Sequence, residues 1–406
     1  MGNSQVHDET PPSQTVLLLR APRQRYDLVE AYPVPRLAHE SEVLVRNRAI
    51  GLNPIDWKAP DFGFGLPPLP CIAGRELAGE VAQVSPGNTR WKVGDRVAVI
   101  STDYRDPRKA AYQQFVVARE HTVVRLPARM SYEQGSAFGV AFAAAALALG
   151  VSLGADFSAV LDGPDLYRAV RGLGEDQLPR DVAVECLDGL EPDERPAAGD
   201  WLAVWGGSAT SAHLAIQLAR LAGLRVAVVV DCAKHGRWLS GHAVIRPDLL
   251  VDSYDPARAV DVLRAATSGR LRLGLDTRGR ESATHLLQAL RQTPCDAGGG
   301  SSTSLMSPPG TPRRAKRRRG HLVGLAGLPK GAEGDDVVLH TVPIKLFHEV
   351  ESIGSALVAW AAALLDKSLL LPPDIVDVEY GLDSVNAGLD RMRNGEISGG
   401  KLVVKV

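Results

Sequence analysis

Residues 201–231 read WLAVWGGSATSAHLAIQLARLAGLRVAVVVD and predict, in order, a strand, a glycine turn, a helix and a second strand. The apolar run 202–205 stops at two consecutive glycines, after which apolar and small residues recur at helical spacing. Gly223 is typical of a helix end, because glycine adopts a left-handed backbone without strain. Residues 226–230 are valine-rich without alternation, as in parallel strands buried on both faces. The stretch therefore predicts a βαβ unit.

The glycine turn departs from the dinucleotide-binding pattern Gly-x-Gly-x-x-Gly/Ala, since the matching positions are Gly207, Ala209 and Ala212. Gly207 supplies the tight turn and Ala212 still allows close helix–strand packing, but a pyrophosphate must accommodate the Ala209 methyl. A βαβ unit that binds no dinucleotide is the alternative. The predicted phosphate-binding residues are Gly206, Gly207, Ser208, Ala209, Thr210 and Ser211.

Asp231 ends the second predicted strand, where an acidic side chain can bind both ribose hydroxyls of a dinucleotide. This acid repels a 2′-phosphate and favours NAD. Lys234, His235 and Arg237 follow it and can instead neutralise the phosphate of NADP. The loop therefore predicts a dinucleotide and leaves NADP or NAD undecided.

The composition is that of a soluble globular protein large enough for two domains. The chain has 406 residues, 45% apolar residues and a formal net charge of −1, which provides no general attraction for nucleic acid or anionic membranes. Its four cysteines form no Cys-x-x-Cys pair, which argues against a disulfide scaffold and a cysteine-rich zinc site. We expect no signal peptide, no membrane span and a cytoplasmic location.

The two halves of the chain follow different patterns. Short apolar segments separated by prolines and glycines predict a small irregular β-barrel over about residues 14–130, with an alanine-rich helix at 132–149. Beyond residue 200, strands alternate with helices, which predicts a doubly wound parallel sheet. The predicted strands are 15–20, 42–50, 79–84, 96–100, 112–117, 249–252, 273–276, 321–325, 342–347 and 401–406.

Two segments interrupt this organisation. Residues 151–199 lack a clear period and predict a surface extension with one or two short helices. Residues 296–320 are rich in glycine, serine and proline and then strongly basic, which predicts a disordered insertion. The basic residues 313–319 are consistent with a solvated insertion or with a nucleic-acid or nuclear-import patch, and the first is favoured because no other segment is comparably basic.

Several short motifs occur in a fixed order: GLNPID at 51–56, AGRELAG at 73–79, VGDRV at 93–97, LDT at 275–277 and NGEISG at 394–399. With the glycine turn, they resemble the medium-chain dehydrogenase/reductase superfamily, in its zinc-free branch of quinone and enoyl reductases. Asp56-Trp57-Lys58 further resembles fungal trans-enoyl reductases of secondary metabolism. The resemblance implies an α/β fold: a GroES-like β-barrel domain (1–150 and 350–406) and a Rossmann domain (151–349).

The resemblance also bears on metal binding. Zinc enzymes of this superfamily have a cysteine where Asn53 stands and a histidine where Arg75 stands. Arginine is not a zinc ligand, and a catalytic zinc needs about three protein ligands. We therefore expect no metal. Without a Lewis acid, the implied reaction is hydride transfer from NADP or NAD, in the reduced form, to an activated C=C bond or a quinone.

Lys58 is the predicted proton donor or enolate stabiliser, and Asn53 is predicted to orient substrate or nicotinamide. Each has a plainer explanation: a solvated lysine, and a turn residue before Pro54. Tyr104 and Tyr112 are further possible donors, each better explained as structural. The resemblance adds Asp276, Gly324 and Leu325 to the predicted cofactor-binding residues.

Two classes of function remain open at this point. The first is a reductase of a small-molecule substrate, possibly one held on a polyketide-type acyl carrier. The second is a non-catalytic dinucleotide-binding partner or redox sensor. We expect a monomer or homodimer, and nucleic acid is not an expected partner.

Overall fold

The N-terminal half is built on two sheets. A computed structural model describes residues 10–103, 105–291, 318–330 and 336–406. The elements of this half are β1 (Ser13–Leu19), β2 (Asp27–Pro33), β3 (Glu42–Gly51), α1 (Pro54–Phe62), β4 (Cys71–Ile72), β5 (Glu76–Val84), β6 (Arg96–Ile100), β7 (Phe115–Arg119), β8 (Val123–Arg125), α2 (Tyr132–Gly135) and α3 (Gly139–Leu147).

The remaining elements form the parallel sheet and the C-terminal return. They are α4 (Leu166–Arg171), α5 (Ala183–Asp188), β9 (Trp201–Trp205), α6 (Thr210–Leu221), β10 (Arg225–Val230), α7 (Cys232–Gly241), β11 (Leu249–Asp252), α8 (Pro256–Ala266), β12 (Leu273–Asp276), α9 (Arg280–Leu290), β13 (Gly320–Gly324), β14 (Val337–His340), α10 (Lys345–Glu349), α11 (Glu351–Asp366), β15 (Ile375–Tyr380), α12 (Val385–Arg393) and β16 (Lys401–Lys405).

The parallel sheet has the strand order β11-β10-β9-β12-β13-β14. Strand β9 lies between β10 and β12, so the chain leaves it in opposite directions on its two sides, which opens a crevice at the carboxyl ends of the strands. Strands β9 and β10 are almost entirely buried, in agreement with their unbroken apolar runs. The predicted doubly wound sheet is confirmed.

The barrel sheet joins strands from the N-terminal half to the last two strands of the chain. Its order is β15-β16-β3-β5-β6-β8, with β7 also paired to β3, and β2-β1-β4 forms a smaller sheet. Strand β16 pairs antiparallel with β3, so the last strand returns to the N-terminal domain. This pairing places the start of β16 beside the end of β3, where α1 begins.

The prediction of a strand at 342–347 is wrong. The edge strand is β14, earlier in the chain, and the segment holds the short helix α10 instead. Leu346 and Phe347 are buried by helical packing, so an apolar run too short to show a period was assigned to the wrong element type. Strands β2, β4, β8 and β15 were not predicted either.

The segment 151–199 is not simply a surface extension. Phe157, Leu166, Val170 and Cys186 are buried in the same apolar core as α3 and α11. The Trp360 indole of α11 donates a hydrogen bond of 2.9 Å to the Val160 carbonyl. Turns separate the apolar residues of this segment, so they meet in space without a sequence period.

The helical region Tyr132–Ser152 is apolar and long enough to cross a bilayer by composition, but 89% of its most apolar window is buried inside the protein. It is divided into α2, α3 and a π-helical turn at Ala148–Ser152. Most of the predicted basic insertion, together with Tyr104, lies outside the described residues.

Candidate functional site

A cleft of about 560 Å³ runs between the barrel and the carboxyl ends of the parallel strands. It is lined by α1, the turn after β9, the start of α7 and the loop before β16. The predicted site residues that line it are Asn53, Lys58, Gly206, Ser208, Ala209, Thr210, Ser211, Asp231, Lys234, His235 and Leu325. One cleft thus brings the predicted catalytic and cofactor-binding residues together.

Three predicted cofactor residues do not line this cleft. A Cβ on Gly207 would lie 2.1 Å from Val228 Cγ1, and one on Gly324 would lie 2.7 Å from the Gly327 carbonyl oxygen, so both glycines serve packing. Asp276 is fully buried and accepts hydrogen bonds from the backbone N–H groups of Arg278 and Gly279. The structure therefore gives it a role in shaping the loop after β12, with no exposed carboxylate for a ribose.

The turn after β9 fits a pyrophosphate. Gly206 has φ 91°, and a Cβ there would lie 2.3 Å from Thr277 Oγ1. Helix α6 begins after Ala209, whose methyl cannot cap it, and none of the described side chains hydrogen-bonds at this N-cap. Its first backbone N–H groups are left for a ligand, and Thr210 and Ser211 place hydroxyls beside them.

The loop after β10 is more constrained than its sequence shows. The Asp231 carboxylate caps α7 by accepting the Lys234 N–H at 3.0 Å. His235 Nε2 lies 3.1 Å from Ser398 Oγ, so this histidine bridges α7 to the loop before β16. Burial and the nearby Lys234 ammonium lower the pKa of His235. Lys234 also lines the cleft, and among the described residues its ammonium makes no hydrogen bond or ion pair.

Lys58 projects from α1 on the barrel side of the cleft. It is half-buried, and its ammonium lies 5.6 Å from the Trp57 ring centroid. In the part of the chain that the structure describes, this ammonium makes no hydrogen bond or ion pair. A cation that lines the cleft without a fixed partner can donate to a bound carbonyl oxygen.

Asn53 lies at the start of α1, and its side chain is already engaged. Its Nδ2 donates to the Gly51 carbonyl at 3.2 Å and to Glu76 Oε1 at 3.0 Å, and its Oδ1 accepts from Lys401 Nζ at 2.7 Å. Both amide hydrogens therefore bond to protein groups. The arrangement limits Asn53 to accepting a hydrogen bond from a ligand.

Glu76 and Lys401 were missed by the sequence analysis. They form an ion pair at the base of the cleft, with relative exposures of 1% and 2%. The second Glu76 oxygen accepts the Val140 N–H at 2.9 Å, at the start of α3. The available signal was a charged residue at the start of an otherwise apolar strand in AGRELAG and GGKLVVKV.

Asp56, in the first turn of α1, is a second buried acid near the cleft. Its Oδ2 accepts the Asn53 N–H at 2.8 Å, and burial raises its pKa to about 6. Tyr112 is fully buried, with its ring in edge contact with Tyr26 at 5.3 Å. Burial also raises the pKa of Tyr112, and the residue does not line the cleft. The position of Tyr112 indicates a structural role.

Comparison with known proteins agrees with this arrangement. Residues 39–128 match the alcohol dehydrogenase GroES-like domain. A trans-enoyl reductase of Gibberella fujikuroi is 28% identical over 379 residues, covering 92% of this chain and 93% of the relative. A crystal structure of an alcohol dehydrogenase superfamily protein from Novosphingobium aromaticivorans is 19% identical with a TM-score of 0.67, covering 97% of this chain and 99% of that one.

A quinone oxidoreductase of Pseudomonas syringae is also similar in fold, with a TM-score of 0.65, 18% identity, and coverage of 97% of this chain and 100% of that structure. The barrel, the strand order and the relatives agree. Over nearly its whole length the chain is similar to the medium-chain dehydrogenase/reductase superfamily. It is an oxidoreductase, and its cleft between the two sheets fits a nicotinamide dinucleotide.

Among the residues that the structure describes, the cleft holds no evident group of metal ligands. Within residues 10–103, 105–291, 318–330 and 336–406, no three His, Cys, Asp or Glu side chains converge as a metal site. Asn53, where zinc members carry a cysteine, instead belongs to the network with Glu76 and Lys401. The groups at this position are the Asn53 amide, the Lys401 ammonium and the Glu76 carboxylate that pairs with it.

Proposed function

We propose that this protein is a metal-independent reductase that uses NADPH or NADH to reduce a C=C bond conjugated to a carbonyl group. The observation that carries the proposal is the pairing, in one cleft, of the uncapped N-terminus of α6 with the Lys58 ammonium. The helix N-terminus would bind the pyrophosphate, and the Lys58 ammonium would donate a hydrogen bond to the carbonyl oxygen of the substrate. The similarity to a trans-enoyl reductase supports the enoyl class over other substrates.

The dinucleotide would be held by the N–H groups at the start of α6, by the hydroxyls of Ser208 and Thr210, and by Asp231 and Lys234 beside the ribose. When bound, it supplies a hydride. The remaining tasks fall to the protein. It must hold the substrate carbonyl, accept negative charge on its oxygen and provide a proton.

Lys58 is suited to the last two tasks. As hydride reaches the β-carbon, the electron pair of the C=C bond shifts towards the carbonyl oxygen and gives an enolate. An ammonium hydrogen-bonded to that oxygen stabilises the developing charge. A proton then adds to the α-carbon, with Lys58 as the proposed donor, and the product is the saturated carbonyl compound.

The proposal is tested by following NADPH and NADH absorbance with purified protein. The substrates are an α,β-unsaturated thioester, offered free and on an acyl carrier protein, a simple enone and a quinone. We expect cofactor oxidation with the thioester, and faster turnover on the carrier if the substrate is a carrier-bound acyl chain. Cofactor binding without oxidation by any acceptor would instead identify a non-catalytic dinucleotide-binding protein.

A further inference from the structure

The base of the cleft holds a buried charged network. Lys401 Nζ donates to Asn53 Oδ1 at 2.7 Å and pairs with Glu76 Oε1. Asn53 in turn donates to the same Glu76 oxygen at 3.0 Å, and the other Glu76 oxygen accepts the Val140 N–H at 2.9 Å. Each of the three side chains therefore contacts the other two.

This network lies at the junction of four elements. Asn53 precedes α1, Glu76 begins β5, Val140 is in the first turn of α3, and Lys401 begins β16. The network thus links the barrel strands to α3, the helix that leads to the Rossmann sheet. The arrangement is tightly packed as well, because a Cβ on Gly51 would lie 3.0 Å from the Lys401 side chain.

The burial of the Glu76 carboxylate and the Lys401 ammonium needs an explanation, because buried charges lose their hydration. Removing an ammonium and a carboxylate from water is costly, and apolar residues of similar volume often stabilise a protein as well or better. What a buried, hydrogen-bonded ion pair can provide is a defined geometry. Here that geometry is imposed on Asn53, whose own N–H binds Asp56 Oδ2 in the first turn of α1.

Lys58 follows two residues after Asp56 on the same helix. We infer that Lys401 and Glu76 are positioning residues for the reaction: they hold Asn53 and the N-terminal turn of α1 so that the Lys58 ammonium meets the substrate carbonyl. The inference rests on the proposed function. Misplacing a reacting group by about 1 Å can reduce a rate by about 100-fold, so such positioning matters.

The test compares variants that remove one charge or both. Lys401→Met alone leaves a buried carboxylate unpaired, and this variant is expected to be unstable or unfolded. The double variant Glu76→Gln/Lys401→Met leaves no unpaired charge and is expected to fold. The matched control is Glu42→Gln/Arg108→Met. It removes a pair on the same barrel, away from the cleft, in which the Glu42 carboxylate is buried.

With NADPH and an unsaturated thioester, we expect the kcat of the Glu76→Gln/Lys401→Met variant to fall about 10- to 100-fold. Its KM for the thioester and its NADPH affinity, measured by fluorescence titration, should stay within about threefold of wild type. The alkaline limb of the kcat pH profile, where the donor loses its proton, should also shift in this variant relative to wild type. The Lys401→Arg variant should retain at least part of the wild-type kcat. The Glu42→Gln/Arg108→Met control should retain all of it.

Two results would overturn the inference. The first is a folded Glu76→Gln/Lys401→Met protein with kcat and pH profile unchanged, since the pair would then serve stability alone. The second is an unchanged kcat with weakened NADPH affinity, which would assign the pair to the cofactor. A wild-type protein that binds NADPH but turns over no substrate would refute the proposed function itself, and the parallel wild-type assay identifies that case.

Discussion

Two of the three lysines that line the cleft, among the described residues, differ in their chemistry. Lys401 is almost fully buried and tied to Glu76 and Asn53, so its ammonium is committed to the fold. Lys58 is half-buried beside Trp57, and its ammonium makes no hydrogen bond or ion pair with the described residues. The contrast separates a side chain that holds the site in place from one that can take part in the reaction.

Replacing Lys58 with alanine should lower kcat on an unsaturated thioester by about 100-fold or more, because a positioned proton donor contributes about 10²- to 10⁴-fold. NADPH affinity should not change. Steady-state kinetics and fluorescence titration measure the two effects. Lys92→Ala, an exposed lysine on a barrel turn, is the control. Full turnover by Lys58→Ala would remove this residue from the mechanism.

Asp231 lines the cleft at the position where we propose that the ribose of the dinucleotide binds. Asp231→Ser removes a negative charge while a serine can still cap α7. We expect NADPH to gain affinity relative to NADH by about tenfold, measured by titrating both cofactors. Asp255→Ser is the matched control, because Asp255 caps α8 in the same way, by accepting the Arg258 N–H at 3.0 Å, outside the cleft. Equal shifts in both variants would contradict the assignment.

Helix α11 connects the irregular segment 151–199 to the core. The Trp360 ring lies 4.7 Å from Phe157 and 6.0 Å from Phe142, and its indole binds the Val160 carbonyl. An aromatic side chain with both packing and a hydrogen bond joins the segment to the helix bearing Phe142. The segment thus behaves as part of the domain core.

Trp360→Ala should lower the free energy of unfolding by about 3–5 kcal/mol, since it leaves a large cavity and an unpaired carbonyl. Urea denaturation measures the loss, and limited proteolysis should show earlier cleavage within 151–199. Tyr254→Ala is the control, because that ring is 92% exposed. Cleavage of Trp360→Ala at the wild-type rate would show that α11 does not hold the segment.

The whole molecule carries several histidines buried as neutral bases. Burial lowers the pKa of His213 to about 3 and of His348 to about 4, and it also holds the pKa of His321 low. In the unfolded chain these groups titrate near about 6.5. Below that pH the unfolded chain binds protons that the folded protein does not, so acid favours unfolding.

We therefore expect the free energy of unfolding to fall as the pH drops from about 6.5 to about 4, by up to about 1.4 kcal/mol per pH unit for each histidine. Asp56 opposes this trend, because its folded pKa of about 6 lies above the unfolded value, so the folded protein holds that proton between about 4 and 6. Urea midpoints at pH 8, 6.5 and 5 measure the net slope.

A histidine variant assigns this slope. His213→Leu should flatten it, because the leucine adds no proton to the unfolded chain. His39→Gln should leave it unchanged, since His39 is exposed. A His213→Leu protein with the wild-type slope would show that His213 is not buried as a neutral base.

The local pattern of residues 201–231 was enough to predict β9, α6 and β10, because apolar spacing and glycine placement are properties of neighbouring residues. The same pattern located the residues that line the cleft at the start of α6 and α7. It failed for 342–347, where an apolar run of that length is compatible with a strand or a helix.

Topology alone determined the base of the cleft. Lys401 lies 348 positions after Asn53 and 325 after Glu76, and the pairing of β3 with both β16 and β5 brings them together. A charged residue at the start of a strand is indistinguishable in sequence from a solvated one until its partner is known. The bridge from His235 to Ser398 depends on the same kind of long-range contact, since side-chain hydrogen bonds act through space and are not encoded in local spacing.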